Sequence, residues 1–343
     1  MKIIELVPEL QEGGVERHLL WMTEKLVERG HEVLIISAGG KMTSLFHSQV
    51  KQWILPVHKK NPLTAWSCAQ KIADRAKLEG WNILHAHSRV PAWIAMWASK
   101  KANIPYIVTG HVLFGNKSPW IYYPYRKAFK VICVSHAVED GMVSCFSGNT
   151  QVIHNGLTEP PFYWKGPDSE DVTTRFLFVG RLSKVKGIQD IIEVLPRLQG
   201  SWSLDVLGDG PIMEELKNRV KDLDLEDRVT FYGFRDDPDY WMQRCSCLLF
   251  PSYGEGMPLT LARAIQMKVP VIASNILPVR ELAKSDEGLL PPGNLHAWSN
   301  ALQFFINTKK TICKFDPDII PTLDQMTDTV ETIYRKALMT YTV

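Results

Sequence analysis

Three segments in the second half of the sequence set charged side chains beside glycines at the ends of apolar runs. The first is Gly180-Arg181-Leu182-Ser183-Lys184-Val185-Lys186-Gly187. Arg181 and Lys186 are cations on a flexible turn, and that suits a diphosphate held by charge-assisted hydrogen bonds of about 1.5–3 kcal/mol each. Taken alone, the segment reads equally well as a solvated basic loop. The second is Leu207-Gly208-Asp209-Gly210-Pro211, where glycines permit a tight turn and proline suits the first turn of a helix. Met213 stands where a dinucleotide fingerprint needs its third glycine, which argues against a nicotinamide dehydrogenase. The third is Pro251-Ser252-Tyr253-Gly254-Glu255-Gly256-Met257-Pro258-Leu259. Glu255, flanked by glycines, can accept hydrogen bonds from two hydroxyls at once. The backbone N–H groups between Gly256 and Leu259 are expected at a positive helix terminus, open to a phosphate or a sugar hydroxyl. A buried structural glutamate is the alternative.

Such loops must be positioned by strands. Short β-branched runs alternate with helical patterns along the whole chain, the signature of βαβ units around parallel sheets. In the first half the strands read Lys2–Val7, His31–Ser37, Asn82–His87, Tyr106–His111, Lys130–Ser135 and Gln151–Asn155. Val15, Leu19, Met22 and Leu26 recur at helical spacing, and Gly30 closes that helix. The pattern stops at a proline- and glycine-containing acidic stretch over 160–174. It restarts with strands at Arg175–Gly180, Ser203–Gly208, Val229–Gly233, Cys247–Ser252 and Val269–Ser274. Helices are expected near 187–199, 211–223, 257–267, 294–307 and 322–338. The fold class is therefore α/β, with two Rossmann-like domains whose parallel sheets face a central cleft. The expected division is 1–160, 161–321, and a C-terminal helix in 322–343 that packs back toward the first domain.

A chain of 343 residues, 45% apolar and 22% charged, suits two such domains and not a disordered protein. Residues 1–160 carry 18 Lys/Arg against 12 Asp/Glu, and residues 161–343 carry 21 against 25. Nine of the ten histidines lie in the basic half, so the halves are expected to meet different partners. No nucleic-acid partner is expected. The six cysteines are scattered and read as buried thiols, with no zinc-ligand spacing. No stretch reaches the roughly 18–20 apolar residues of a spanning helix, and no export signal is recognisable at the start. A cytoplasmic protein is expected.

GRLSKVKG, LGDGP, VTFYGF and PSYGEGMPL, in this order, resemble the retaining glycosyltransferases of family 4, which have the GT-B fold. The first half is similar too, through Gly13-Gly14-Val15-Glu16-Arg17, His85-Ala86-His87-Ser88, Thr109-Gly110-His111, Ser135 and Val152-Ile153-His154-Asn155-Gly156. The likeness covers about residues 1–310. It implies transfer of a sugar from a nucleotide-sugar, with UDP the expected carrier and GDP the next, to a glycan or lipid-linked acceptor of cell-surface polysaccharide, lipopolysaccharide or glycolipid synthesis. Gly13 and Gly14 would let the backbone approach the donor phosphates. Arg181 and Lys186 would neutralise the leaving diphosphate, beside the turn at Gly208. Glu255 would hold the donor sugar with Gly256, Met257, Pro258 and Leu259, and His111 would bond a sugar hydroxyl. Phe234 and Arg235 would meet the base, and His18 and His87 would lie on the acceptor side. The likeness implies a same-face substitution in which the leaving phosphate helps deprotonate the acceptor.

Fixed cations aimed at the phosphate lower such a barrier without metal chemistry. No metal and no cofactor is expected, since Asp222-Leu223-Asp224 belongs to a polar helix end. One departure concerns the ribose. Family members usually carry a second glutamate eight positions after the first, and here that place is Arg263, which has no acceptor for a diol but could contact a phosphate. A catalytically silent nucleotide-sugar-binding protein, or an epimerase of the same fold, are the alternatives. Finally, Lys117–Lys130 reads KSPWIYYPYRKAFK, five aromatics interleaved with cations, and suggests peripheral binding to an anionic membrane surface. A helix packed inside the first domain is the competing reading, because Pro124 interrupts any long stripe.

Overall fold

The computed structural model describes residues 1–11, 13–113, 119–143, 149–167 and 173–341. The chain divides into two compact units, Met1–Thr158 together with Pro321–Val343, and Glu159–Ile320. The expected boundary after residue 160 lies two residues past that division.

The first unit is built on seven parallel strands: β1 (Lys2–Leu6), β2 (Glu32–Ser37), β3 (Lys51–Ile54), β4 (Ile83–Ala86), β5 (Tyr106–Gly110), β6 (Lys130–Cys133) and β7 (Thr150–Val152). Their order is β3-β2-β1-β4-β5-β6-β7. Five helices connect them: α1 (Gly14–Glu28), α2 (Pro62–Glu79), α3 (Arg89–Ala102), α4 (Tyr123–Lys127) and α5 (His136–Val143). Helix α1 turns Leu19, Met22 and Leu26 inward at the spacing of one helical face. Asn61 caps α2, its side chain accepting from the Leu63 and Thr64 amides.

The second unit has five parallel strands: β8 (Thr174–Val179), β9 (Trp202–Leu207), β10 (Val229–Gly233), β11 (Cys247–Phe250) and β12 (Val271–Ala273), in the order β10-β9-β8-β11-β12. Its helices are α6 (Ile188–Val194), α7 (Met213–Asp222), α8 (Pro238–Arg244), α9 (Leu259–Gln266), α10 (Leu277–Arg280) and α11 (Leu295–Thr308). Pro196 ends α6 early, so the expected helix over 187–199 is α6 followed by a short 3-10 turn at Leu195–Arg197. Phe176, Leu204, Val206, Ile191, Trp298 and Phe305 are among the residues of its core.

The last helix, α12 (Leu323–Tyr341), belongs to the first unit. It buries Met326, Val330, Ile333 and Tyr334 in the core formed with Leu19, Met22 and Leu26 of α1. Arg29 ties its outer face by donating to Asp324 at 2.7 Å and Asp328 at 2.6 Å. Strand β3 was not expected from sequence. Its four residues lie at the sheet edge, none fully buried, and so carry no apolar period. Cys68, Cys133, Cys245, Cys247 and Cys313 are buried free thiols, while Cys145 lies outside the described residues. Among the described residues no helix is long and apolar enough to cross a membrane.

In each sheet the strand order reverses once, between β1 and β4 in the first unit and between β8 and β11 in the second. Loops leaving the carboxyl ends of such strands diverge and leave room for a ligand. The candidate site residues sit at these two places.

Candidate active site

In the second unit, the loops that follow β8, β9 and β11 are stitched together by backbone hydrogen bonds. Leu182 N donates to Asp209 O at 2.8 Å, Tyr253 N to Val185 O at 2.8 Å, and Gly208 N to Gly233 O at 2.7 Å. The close fit requires glycine. Gly208 has φ +136° and Gly187 has φ +73°, and a Cβ would collide with the carbonyl oxygen of Gly180 at the first and of Pro251 at the second. The expected turn at Gly208 is thus the floor on which the Arg181–Lys186 loop rests.

The fit brings two predicted residues into direct contact. Lys186 Nζ donates to both oxygens of Glu255, at 2.6 and 2.8 Å, and Ser252 Oγ donates to Glu255 Oε1 at 2.7 Å. The Glu255 side chain is only 10% exposed and that of Lys186 28%. Arg181 is exposed on the same loop. A phosphate oxygen and a sugar hydroxyl are the groups that such a cation and such a carboxylate bind.

The remaining donor-side residues have other commitments. Leu259 N donates to Met257 O at 3.0 Å, so this amide at the start of α9 does not stand open as expected. Gly256, Met257 and Pro258 are buried beside it. Arg235 makes a bidentate pair with Asp237, both bonds 2.8 Å, and Phe234 beside it is 46% exposed. Arg263 is 8% exposed on α9, donating to Gln266 at 2.8 Å with Asp239 at 3.5 Å. Its guanidinium therefore links α9 to α8.

In the first unit, a cavity of ≈ 310 Å³ opens where β1, β4 and β5 end, bordered by Val7, His87, Ser88, Arg89, Thr109 and His111 among others. Gly14 starts α1, capped by extended Gly13, and both are exposed. His87 and His111 reach the cavity wall. His18 is 5% exposed on the inner face of α1 and is not part of the wall, although its ring centroid lies 5.2 Å from that of His111.

Beneath the cavity lies a polar network that the sequence reading missed. Glu5 of β1 is fully buried, and its Oε2 lies 2.7 Å from His87 Nε2. A carboxylate only accepts, so His87 carries its proton on Nε2 and its Nδ1 accepts from His111 Nε2–H at 3.0 Å. His111 is left with a lone pair on Nδ1. On the other side, Tyr334 of α12 donates to Glu5 Oε1 at 3.1 Å and accepts from His85 Nδ1–H at 2.6 Å. Thr109 Oγ1 lies 2.7 Å from His85 Nε2. The signal for Glu5 was present, since a charge within a doubly buried parallel strand needs partners. Nothing local marks Tyr334.

The electrostatics follow from burial. Burial pushes the Glu5 carboxyl up, but His85 and His87, through charge and hydrogen bonds, more than offset it and hold it well below the carboxylate range. Burial, then the neighbouring histidines, lowers His111 well below its ordinary value and takes His18 down to about 3. Burial and His85 also lower His87, against the pull of Glu5. Near neutral pH the Glu5 carboxylate therefore lies beside neutral rings at His18, His87 and His111. Two sets of ligand atoms lie within 4.8 Å of one another, His18 with His87 and His111, and Glu5 with His85 and His87, and these are the places where a metal ion could be held.

Within the expected membrane segment 117–130, Lys117 and Ser118 lie outside the described residues. The rest forms a 3-10 turn and α4, with Tyr122 and Tyr125 buried at 2% exposure each while Trp120 and Tyr123 face out. The five aromatics are therefore divided between interior and surface.

Comparison with known proteins agrees with both units. The model of Glycosyltransferase Family 4 matches residues 12–158, and that of Glycosyl transferases group 1 matches residues 166–316. The lipopolysaccharide 1,6-galactosyltransferase of Escherichia coli K12 is 30% identical over 51% of this chain and 52% of its own length. A UDP-Gal:alpha-D-GlcNAc-diphosphoundecaprenol alpha-1,3-galactosyltransferase of Escherichia coli is 26% identical over 87% of this chain and 86% of its own. Anabaena HepE, solved in complex with UDP and glucose, superposes with a TM-score of 0.78 at 20% identity, covering 100% of this chain and 99% of that one. The fold is GT-B, and the chain belongs to glycosyltransferase family 4.

Proposed function

We propose that this protein transfers a hexosyl group from a UDP-sugar to a glycan or lipid-linked acceptor in cell-surface glycan synthesis. The transfer retains anomeric configuration and needs no metal ion. The observation that carries the reading is the Lys186–Glu255 contact, on loops locked by Gly187 and Gly208. Before the donor binds, cation and carboxylate neutralise each other. Once it binds, the ammonium has a diphosphate to bond and the carboxylate has sugar hydroxyls, so neither charge is left bare. Arg181 adds a second cation where charge develops on the leaving group. In the first unit His111 offers Nδ1 as an acceptor to a sugar hydroxyl, and Glu5 through His87 positions it. Gly13 and Gly14 offer the start of α1 to phosphate, and His87 borders the acceptor side.

The names of the relatives support the carrier and the acceptor class: one is a lipopolysaccharide galactosyltransferase, one uses UDP-Gal and a diphosphoundecaprenol-linked sugar, and HepE was solved with UDP. The reading includes peripheral association with the inner face of the cytoplasmic membrane through residues 117–130. Thermal melting against UDP, GDP, ADP, CMP and their sugar conjugates tests the carrier. A ligand at a hundredfold excess over its Kd adds about 2.7 kcal/mol of stability, so the UDP series should raise Tm clearly. A response to GDP alone, or to no nucleotide, would contradict the assignment.

A further inference from the structure

Four tryptophans and a tyrosine of the first unit form one chain of ring contacts. Trp66 of α2 meets Trp97 of α3 edge-on, centroids 5.6 Å apart, and Trp97 lies 5.4 Å from Trp93. Trp93 stacks on Trp120 at 5.0 Å and on Tyr123 at 6.1 Å. The outer members face water, Trp66 being 51% exposed, Trp120 71% and Tyr123 39%, and Leu63, one turn before Trp66, is 80% exposed. None of these rings borders the cavity beside His111. Single exposed apolar side chains are ordinary, but a run of touching indoles is a contiguous patch, and such patches mark a binding surface.

The charge around the ridge indicates what it meets. Between Glu79 and Glu139 the sequence has no Asp or Glu, yet it has seven cations: Arg89, Lys100, Lys101, Lys117, Arg126, Lys127 and Lys130. That stretch contains α3, α4 and every ring of the ridge except Trp66. Lys100, Arg126 and Lys127 are exposed, and the Lys127 ammonium sits 5.7 Å over the Tyr123 ring. Lys59 and Lys60, also exposed, lead into α2. Indole rings with a polar N–H favour the boundary between headgroup and acyl chain, and lysines and arginines beside them are drawn to lipid phosphates. Asp74 of α2 pairs with Lys101 at 2.6 Å, so Lys100, Arg126 and Lys127 are the exposed cations in excess on α3 and α4. A neutral glycan would have no use for that excess, nor for Leu63.

We propose that this tryptophan ridge is the surface that docks the chain on an anionic lipid bilayer, with Leu63, Trp66 and Trp120 entering the interface and Arg126 and Lys127 over the phosphates. The proposal rests on the reading of the protein as a peripheral membrane enzyme and moves the contact from one segment to a surface shared by α2, α3 and α4.

The test is flotation of the full chain with vesicles of phosphatidylglycerol and phosphatidylcholine, beside vesicles of phosphatidylcholine alone. Binding is expected to the anionic vesicles and to fall with salt. Trp66→Ala with Trp120→Ala should lower the partition coefficient about tenfold or more. Arg126→Gln and Lys127→Gln should each lower it about fivefold. All four side chains are exposed, so melting temperature and the UDP-induced shift should stay as in the parent. Retention of that shift separates failure of this surface from failure of the donor assignment. No flotation with anionic vesicles, undiminished flotation of the variants, or binding to a soluble acidic glycan in place of vesicles would overturn the proposal.

Discussion

Glu5→Gln probes the buried network with a change of charge at constant shape. In the parent, the carboxylate accepts from His87 at one oxygen and from Tyr334 at the other, 2.7 and 3.1 Å away. An amide can accept at only one of these places, and its NH2 must face a donor at the other. If it faces His87, that ring must move its proton to Nδ1, and His111 must then accept at Nε2 and present a donor where the parent presents a lone pair. If it faces Tyr334, the phenol loses its acceptor. One buried polar group left without a partner costs about 1–3 kcal/mol, so urea unfolding should show a loss of that size. Catalysis gives the sharper readout. Glu5 supports the basicity of His18 and His87, and its removal lets both fall further below their already lowered values. The acid limb of the pH–rate profile should therefore move to lower pH, and kcat at neutral pH should drop at least about tenfold through the altered tautomer, with KM for the donor little changed. UDP release from the sugar donor is the assay, and Glu5→Asp, which keeps the charge, should recover part of the rate. A Glu5→Gln enzyme with the parental profile and kcat would refute the argument that Glu5 positions His111.

Lys186→Ala and Glu255→Ala should each cost about 10²–10³ in kcat, measured by the same UDP-release assay, and Lys186→Ala should also lower the melting temperature, because it leaves the largely buried Glu255 carboxylate without its cation. Acid should destabilise the first unit. His18 must be neutral in the folded state, where its value is about 3 against 6.5 for the free ring, so stability falls as pH drops below 6.5. By pH ~4.5 the parent should have lost on the order of 2–3 kcal/mol through this ring relative to His18→Leu, as read from urea midpoints at the two pH values. Arg263→Met should lower stability by about 1–3 kcal/mol, through loss of its bond to Gln266 and its contact with Asp239, while leaving the UDP-induced thermal shift intact. A lost shift would instead give Arg263 a role at the nucleotide.

What could be read from the sequence depended on how local each signal was. The loops at Arg181–Lys186, Gly208–Pro211 and Ser252–Gly256 were legible because glycine, cation and carboxylate stand within a few residues of a strand end. Their stitching was not, and Lys186 and Glu255 touch across 69 positions with no local sign of it. Glu5 left a trace as a charge in a buried strand, whereas Tyr334 reaches it across 329 positions, through topology alone. The histidines looked alike in sequence, and only the helical phase of α1 and the strand ends place His18 behind the cavity wall and His87 and His111 in it. The aromatic segment around Tyr123 was visible as composition. The division between buried Tyr122 and Tyr125 and the exposed ridge needed α3, whose Trp93 and Trp97 stand one turn apart.

The most direct test of the central claim is the anomeric configuration of the first product. The protein is incubated with a UDP-α-hexose and EDTA, with water as the only acceptor, and the released sugar is followed by proton NMR before mutarotation. The account predicts slow release of the α-anomer, undiminished by the chelator. Release of the β-anomer would contradict retention, and release that stops with EDTA and returns with a divalent ion would contradict transfer without a metal.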